Sequence, residues 1–279
     1  MPRRRPRFPT LLVSAFAGAG LLAAGWLQGQ AAGDDILGGA PVATGSSQAL
    51  TTHTLHNRCH TVGYSEWRAD PLWVAYRLRP VKRQGGLGRE RFETDERTAR
   101  RVDYKDYSGS GYDRGHLAPS YAIAALCGKA AQRETFLMSN IAPQKPRLNQ
   151  KLWQRLEEVE LDEFPRLLGE IQVFTGPIFD GRRQLLRSGV DIPDAFYKIY
   201  YAPARDGRPA HTLAVVMPQE VQGTEPLERY VTSIDAIEAK TGLDFLSGLD
   251  STTQARLEAS ASPDPAWRLV EFGHRPPRY

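Results

Sequence analysis

The sequence predicts an α+β fold in which helices flank a central sheet that is mixed or antiparallel. Four apolar runs rich in aromatic and β-branched residues read as buried strands. Two of these runs flank an Asp206-Gly207 pair, which is typical of a hairpin turn. Two other segments carry apolar residues at helical spacing. With 279 residues and 41% hydrophobic content, the chain has the composition of an ordinary globular protein.

The strand signals begin with "PLWVAYRLRP" from Pro71 and continue with "IQVFTGPIF" from Ile171, where Gly176-Pro177 predicts a break. The hairpin consists of "AFYKIYYAP" and "HTLAVVMP". The first helix signal is "LNQKLWQRLEEVELDEF". The second, "TSIDAIEAKTGLDFL", starts at a Thr232/Asp235 capping pair and stops at Gly242.

The amino terminus has the layout of an export signal. Four arginines precede an apolar run over residues 11–27, and small residues follow it. The run is longer than the roughly 7–15 residues of a typical signal core, so an uncleaved membrane anchor is the alternative. We therefore expect an exported protein that is periplasmic, secreted or anchored to the membrane through residues 11–27.

Domain boundaries follow from composition. Residues 1–32 form the signal peptide or membrane anchor, residues 33–48 are rich in glycine and small residues and are expected to be a linker, and residues 49–260 form the folded domain. The tail over residues 261–279, with its prolines, is expected to be irregular. The net charge of +4 at pH 7 equals the four arginines of residues 1–32, so the remainder is neutral and its overall charge is no evidence for a nucleic-acid partner.

The chain contains two cysteines, Cys59 and Cys127. In an oxidising compartment they are able to form one disulfide, and two buried thiols are the alternative. Common catalytic motifs are absent from the sequence, including the P-loop, the HExxH zinc motif and the nucleophile elbow.

The strongest chemical signal is "YDRGHLAPS", residues 112–120, followed by a second apolar stretch, "TFLMSN", and then by the first predicted helix. If the two stretches are paired strands, the start of the helix lies beside His116. Asn149 then falls in the first helical turn, and Glu157 follows at i+8. An imidazole, an amide oxygen and the Arg114 guanidinium would meet at one place.

These groups suit phosphodiester hydrolysis. A histidine, whose ordinary pKa lies near neutral pH, can deprotonate water, and arginines bind anionic oxygens through bidentate hydrogen bonds. Mg²⁺ prefers oxygen ligands and keeps several waters, so one asparagine carbonyl suffices as a direct protein ligand. Glu157 would then hold the water molecules around the cation. Arg114 and Arg91 are the candidates for phosphate binding.

The motifs "DRGHLAPS", "SNIAPQKPRLNQKLWQRLE" and "GRERFETD" resemble the DNA/RNA non-specific endonuclease family, endonuclease G-like enzymes of the ββα-metal (His-Me finger) superfamily. The resemblance runs from about residue 55 to residue 249. It implies His116 as general base, Asn149 as metal ligand, Glu157 as holder of metal-bound water, Arg114 and Arg91 near the phosphate, and Asn140 close to the site. It also implies Mg²⁺, or Mn²⁺ in its place, and cleavage of DNA and RNA to 5′-phosphate ends with little sequence preference.

Several alternatives remain open from the sequence. The match at Arg91 is the loosest, and a shifted loop would transfer its role to Arg89 or Arg83. Asp113 is interpreted as a structural residue that fixes its turn through the backbone or Arg114. Homodimers occur in the family, and the sequence leaves the oligomeric state open. A catalytically silent nucleic-acid-binding module and a phosphodiesterase for small diesters are the rival functions.

Overall fold

The computed structural model describes residues 36–44, 53–82, 88 and 90–274. Residues from Ile36 onward belong to one compact unit. The predicted signal or anchor segment, most of the predicted linker, and the alternative arginines Arg83 and Arg89 lie outside the described residues. Among the helices that the structure describes, none combines the length and apolar character that a bilayer span requires.

Thirteen strands are found in the described part of the chain, and seven of them form the central sheet. The strands are β1 (Val42–Ala43), β2 (His53–His56), β3 (His60–Ser65), β4 (Asp70–Leu78), β5 (Asp113–His116), β6 (Ile141–Gln144), β7 (Ile171–Ile178), β8 (Gln184–Leu185), β9 (Asp191–Ile192), β10 (Ala195–Ala202), β11 (His211–Pro218), β12 (Val231–Thr232) and β13 (Leu243–Asp244). The order in the central sheet is β12-β11-β10-β7-β4-β3-β2. Every neighbouring pair is antiparallel, which confirms the predicted fold class.

The predicted hairpin is formed by β10 and β11, which pair from Ala195 with Pro218 to Ala202 with His211. Asp206 and Gly207 both have positive φ, 52° and 76°, as a type I′ turn requires. The predicted break at Gly176-Pro177 is wrong, because β7 continues to Ile178 and pairs with β10 across both residues. Pro177 costs the sheet one donor without ending the strand.

Seven α-helices flank the sheet in the described residues: α1 (Ser120–Cys127), α2 (Lys129–Glu134), α3 (Gln154–Asp162), α4 (Phe164–Leu168), α5 (Ile234–Thr241), α6 (Ser251–Glu258) and α7 (Leu269–Phe272). A π-helical segment, Leu148–Trp153, leads directly into α3. The shorter 3₁₀ segments are Tyr104–Tyr107, Met138–Asn140, Leu227–Tyr230 and Pro265–Trp267. The second predicted helix is α5, and its stop at Gly242 is confirmed by a left-handed φ of 66°. Its cap is Ser233, whose hydroxyl accepts from the Ala236 amide at 3.1 Å, and the predicted capping role of Thr232 is wrong.

Both faces of the sheet are covered, because alternate residues of its strands point to opposite sides. On one face, Phe196 and Tyr200 pack with Trp153 and Leu156 from the π-helical segment and α3. On the other face, a second cluster joins sheet residues to α5, β13 and α6, through Ile237, Phe245 and Leu257 among others. The two helical layers therefore lie on opposite sides of the sheet.

Two terminal segments are more ordered than the composition predicts. Within the predicted linker, residues 36–44 are part of the domain, since β1 pairs with β13 and Ile36 is buried. The predicted irregular tail contains a 3₁₀ turn and α7, and Trp267 is fully buried against Phe164 and Tyr200. Burial of Ile36 in the first segment and of Trp267 in the second stabilises them despite their glycine and proline content.

Cys59 and Cys127 form a disulfide, with Cα atoms 6.5 Å apart. Cys59 lies just before β3, and Cys127 is the last residue of α1. The bridge closes a sequence separation of 68 residues and ties α1 to the edge half of the sheet. Of the two alternatives that the sequence leaves open, the structure contains the disulfide.

Candidate functional site

The site is built on a small two-stranded hairpin apart from the central sheet. Strand β5 pairs antiparallel with β6, from Asp113 with Gln144 to His116 with Ile141. The π-helical segment and α3 follow β6, so the local order is strand, strand, helix. The prediction that "TFLMSN" forms the second strand is wrong, because that stretch ends in a 3₁₀ turn and the strand is the next four residues, "IAPQ".

Gly115 allows the two strands to meet at this site. A Cβ at this position would collide with the side chain of Gln144, which lies flat against the glycine. Gln144 is fully buried, and neither its Oε1 nor its Nε2 has a hydrogen-bond partner among the described residues. Such an amide is expected to bind ordered water or a ligand group. The sequence analysis missed Gln144, although it lies at the end of the quoted "SNIAPQ" motif.

His116 is held between two aromatic rings. Phe136 meets the imidazole edge-on, with ring centroids 4.7 Å apart, and Phe92 lies on another side at 5.4 Å. Phe136 is buried in the core and also forms one wall of the imidazole pocket. The two rings restrict the rotamers of the imidazole.

The Asn140 side chain is bound to the backbone that follows His116. Its Oδ1 accepts from the Ala118 amide at 2.9 Å, and its Nδ2 donates to the carbonyls of Ala118 and Thr135 at 3.1 and 2.9 Å. The side chain is fully buried. The expectation of a group close to the site is met in position, but Asn140 is a positioning residue that fixes the backbone directly after His116.

Arg114 is oriented by backbone and aromatic contacts. Its Nε donates to the Tyr104 carbonyl at 2.8 Å, and its Nη2 donates to the same oxygen. The guanidinium lies 5.6–5.9 Å from the ring centroids of Phe92, Tyr104 and Tyr107. These contacts hold the stem in place and leave the outer edge, Nη1 with the second Nη2 hydrogen, for an anion.

Arg91 is exposed, and its neighbour Phe92 brings it to the site. The Glu93 amide donates to the Phe136 carbonyl at 3.0 Å, and the Met138 amide donates to the Glu93 carbonyl at 2.9 Å. This short parallel bridge keeps Phe92 against His116. Arg91 is therefore exposed at the rim of the site, whereas Arg114 is held by the Tyr104 carbonyl.

Asn149 lies in the π-helical segment and is joined to β5 by Asp113. Its Nδ2 donates to Asp113 Oδ2 at 2.9 Å, and Gln150 Nε2 donates to the same oxygen at 2.8 Å. A carboxylate only accepts, so the amide nitrogen of Asn149 faces Asp113 and its carbonyl Oδ1 is left for a cation. The sequence interpretation of Asp113 is right about a structural role and wrong about its partners. Asn149 is not a helix cap, since it lies inside the π-helical segment that begins at Leu148.

Glu157 follows Asn149 on the same helical run, two turns later. Its Oε1 is buried and makes no hydrogen bond of ordinary geometry to a described residue, although the Trp153 indole is close enough to lower the pKa of the carboxyl group. Burial raises the pKa of Glu157 to about 8, against the opposing effect of the Lys198 ammonium. A carboxylate oxygen of this kind is suited to accept a hydrogen bond from cation-bound water.

Beneath this helix lies a buried polar network. Lys198 and Glu160 are fully buried and form an ion pair at 2.7 Å. Glu160 also accepts from the hydroxyls of Tyr76 and Tyr200 at 2.7 and 2.6 Å. Lys198 lies 5.1 Å from the Trp153 ring. The network places the Lys198 ammonium, paired with Glu160, next to the helical run that carries Asn149 and Glu157.

His60 is a site neighbour that the sequence analysis did not identify. It is buried on β3 and its Nε2 lies 3.1 Å from Asn57 Nδ2. Burial lowers its pKa to about 3, and the charges of Arg97 and His116 add to this effect. No motif in the sequence marks His60, and His56, four residues earlier, is exposed on β2.

The oxygen donors fit a hard, partly hydrated divalent cation. They comprise one directed amide carbonyl on Asn149 and one buried carboxylate oxygen on Glu157. His116 and Arg114 come from the adjacent strand and share a contact with Phe92. The arrangement can deprotonate a water molecule and bind an anion beside a cation.

Comparison with known proteins identifies the family. Over 193 residues the chain is 33% identical to human mitochondrial endonuclease G, covering 64% of each chain, and it therefore spans less than two thirds of that relative. It is 29% identical over 240 residues to a nuclease of Serratia marcescens, covering 81% of this chain and 85% of that protein. A crystal structure of the EndoG/EndoGI complex has the same fold, with a TM-score of 0.66 at 24% identity, covering 76% of this chain and 96% of that one. Residues 38–252 match the DNA/RNA non-specific endonuclease family, and the chain belongs to that family.

Proposed function

We propose that this protein is a metal-dependent endonuclease that hydrolyses phosphodiester bonds in DNA and RNA. The observation that supports this most strongly is the hairpin of β5 and β6, which carries His116 and Arg114 and which Asp113 joins to Asn149. A general base, an anion-binding guanidinium and a directed oxygen ligand are thereby held by one local motif.

In the proposed reaction, an imidazole nitrogen of His116 takes the proton from a water molecule, whose oxygen forms a bond to phosphorus. The bond between phosphorus and the 3′-oxygen breaks, and that oxygen leaves with a proton from solvent. The products are a 5′-phosphate and a 3′-hydroxyl. Arg114 presents its outer edge to the non-bridging oxygens, and Arg91 adds a second positive charge from the rim.

Asn149 Oδ1 would hold the cation, and Glu157 would hold its water shell. Mg²⁺, or Mn²⁺ in its place, supplies positive charge next to the phosphate and the leaving oxygen when bound. Asp113 keeps the Asn149 amide in the orientation that presents oxygen.

Because the candidate groups address the phosphate and none is a base-reading element, we propose little sequence preference. The same groups are indifferent to the sugar, which supports the use of both DNA and RNA. We also propose that the protein is exported, and that it is either periplasmic, secreted, or anchored to the membrane through residues 11–27. The Cys59–Cys127 disulfide supports an oxidising compartment.

The test is cleavage of supercoiled plasmid and of a long RNA by the purified protein with Mg²⁺, with Mn²⁺ and with EDTA. We expect both polymers to be cut with either metal, and neither with EDTA. The ends should accept label from polynucleotide kinase only after phosphatase treatment. Intact substrates under all metal conditions would contradict the proposal and favour a silent nucleic-acid-binding module.

Bis(p-nitrophenyl) phosphate separates the remaining rival, a phosphodiesterase for small diesters. A polymer nuclease should have a far higher kcat/KM on plasmid than on this ester. The reverse order would identify the small-diester activity as the main one.

A further inference from the structure

The layer on the far side of the sheet contains a second group of oxygen donors. Asp235 and Glu238 lie one turn apart on α5, and Glu258 is the last residue of α6. One carboxylate oxygen from each of the three lies within 4.8 Å of the other two. These helices pack on the face opposite to that of α3, so the group is separate from the hairpin site.

Glu258 distinguishes this cluster from a set of solvated surface acids. Its side chain is only 4% exposed, and its Oε1 has no hydrogen-bond partner among the described residues. The residue is also at the carboxyl end of α6, where the helix dipole is unfavourable for a negative charge. A buried carboxylate oxygen in this position needs either a proton or a cation.

The surroundings of Glu258 add negative charge. The pKa of Glu258 is raised to about 8, chiefly by burial and next by the negative charge of Glu238. The charges of Asp244 and Asp235 raise it further, and a hydrogen bond from Gln254 lowers it. Burial likewise raises the pKa of Glu238. Glu238 Oε1 accepts from the Phe245 amide at 2.7 Å, which holds that carboxylate in place.

We propose that Asp235, Glu238 and Glu258 form a Ca²⁺ site that joins the start of α5 to the end of α6. The geometry permits one ion in contact with all three, because oxygens up to 4.8 Å apart are compatible with Ca²⁺–O distances of about 2.3–2.6 Å. Asp235 is exposed and gives the ion a path from solvent, and water completes the coordination. Ca²⁺ fits better than Mg²⁺ because it accepts irregular ligand geometry at about 2.3–2.6 Å, whereas Mg²⁺ demands a near-ideal octahedron at about 2.0–2.1 Å.

The consequence is structural and is independent of the nuclease proposal. Asp244, next to the cluster, accepts from Gln254 of α6 at 2.6 Å and pairs through its strand with Val42 of β1. An ion at this site would therefore stabilise the contact between both helices and the amino-terminal strand.

The experiment uses the full chain carrying Asn149→Ala, so that the hairpin site does not contribute. Isothermal titration with CaCl₂ at pH 7.5 should give one bound ion per chain. Saturating CaCl₂ should raise Tm by roughly 2–8 °C relative to EDTA. Adding Glu258→Gln should abolish both effects, while Glu271→Gln, an exposed carboxylate outside the cluster, should change neither.

Folding of the variants is checked by thermal unfolding in EDTA. We expect Glu258→Gln to be at least as stable as its parent there, because it removes a buried acid group whose Oε1 has no hydrogen-bond partner among the described residues. Asp235→Asn, at an exposed position, should unfold at the parent Tm in EDTA and bind Ca²⁺ about tenfold more weakly. Absence of Ca²⁺ binding, equal binding by Glu258→Gln, or equal affinity for MgCl₂ would overturn the assignment.

Discussion

Asp113 joins the strand and the helix of the site through one carboxylate oxygen. It accepts from both Asn149 and Gln150, and only the first of these amides presents the proposed metal-binding oxygen. We expect Asp113→Ala to raise the Mg²⁺ concentration for half-maximal plasmid cleavage by about 10–100-fold, because the Asn149 amide loses its fixed orientation. The measurement is the nicking rate as a function of Mg²⁺ concentration.

Gln150→Ala is the matched control for this effect. It removes the other donor to Asp113 and leaves the Asn149 contact intact. A Mg²⁺ dependence for Asp113→Ala that matches that of Gln150→Ala would contradict the positioning role.

His60 makes stability sensitive to acid. Its pKa is about 3 in the folded protein against an ordinary value of 6.5, so between these values the unfolded chain binds more protons. The stability from neutral His60 is complete above pH 6.5 and is lost as the pH falls toward 3. Between pH 6.5 and 4.5 the loss amounts to roughly 2–3 kcal/mol.

We therefore expect His60→Gln to lose less stability than wild type over this pH range. Urea unfolding at pH 6.5 and pH 4.5 gives the two differences. His56→Gln, at an exposed position on the neighbouring strand, should behave like wild type. Equal acid sensitivity of wild type and His60→Gln would refute the assignment.

At this scale, sequence reasoning is most successful where residues form a local motif. His116, Arg114 and Asn149 lie on one strand–strand–helix motif, as expected. The roles of Gln144 and His60 could not be predicted, because each side chain is buried against residues from a distant part of the chain. Gln144 meets Gly115 across a hairpin, and His60 is influenced by Arg97 and His116.

The disulfide is the covalent link between two elements, the β3 edge and the end of α1. Closing a sequence separation of 68 residues stabilises the folded state by about 4 kcal/mol in the chain-entropy account. We expect Cys59→Ser/Cys127→Ser to lower Tm by roughly 8–16 °C. The measurement is thermal unfolding of the double variant beside wild type with and without dithiothreitol.

Reduced wild type should approach the Tm of the double variant, and dithiothreitol should leave the variant itself unchanged. A double variant as stable as oxidised wild type would show that the bridge does not contribute to stability.

Elements with strong periodicity were predictable, and those determined by tertiary contacts were not. The hairpin of β10 and β11 follows from two apolar runs rich in aromatic and β-branched residues and from the Asp-Gly turn between them. Strand β6 has only four residues and contains a proline, and it exists because β5 pairs with it. The π-helical hydrogen bonding of Leu148–Trp153 has no signature in the apolar spacing, and it changes the angle between Asn149 and Glu157 expected from an α-helix.

The net charge of the whole molecule influences how tightly it binds a nucleic acid. The chain outside residues 1–32 is neutral, and within the basic stretch near the site Arg97 and Arg101 are paired with Asp95 and Glu96. With two phosphate contacts, from Arg114 and Arg91, the slope of log K against log salt for duplex DNA should be near −2. Binding of His116→Ala to labelled duplex at 50–200 mM salt in EDTA measures this slope. A slope steeper than about −6 would require several further phosphate contacts and would contradict this expectation.

The folded domain extends beyond both of the boundaries that composition predicts. Composition marks residues 33–48 and 261–279 as linker and irregular tail, yet β1 pairs with β13 and Trp267 is buried. Both contacts join segments that are far apart in the chain, so no local sequence pattern predicts them. The central sheet was predictable because its burial on both faces makes its strands continuously apolar.

The most direct test of the central claim is the rate of Mg²⁺-dependent nicking of supercoiled plasmid by His116→Ala, with His56→Ala as the control. If His116 is the general base of a hairpin nuclease site, its loss should slow nicking by about 10²–10⁴-fold at unchanged Tm, and the control should cut like wild type. Nicking by His116→Ala at the wild-type rate would contradict the account and remove this hairpin as the catalytic centre.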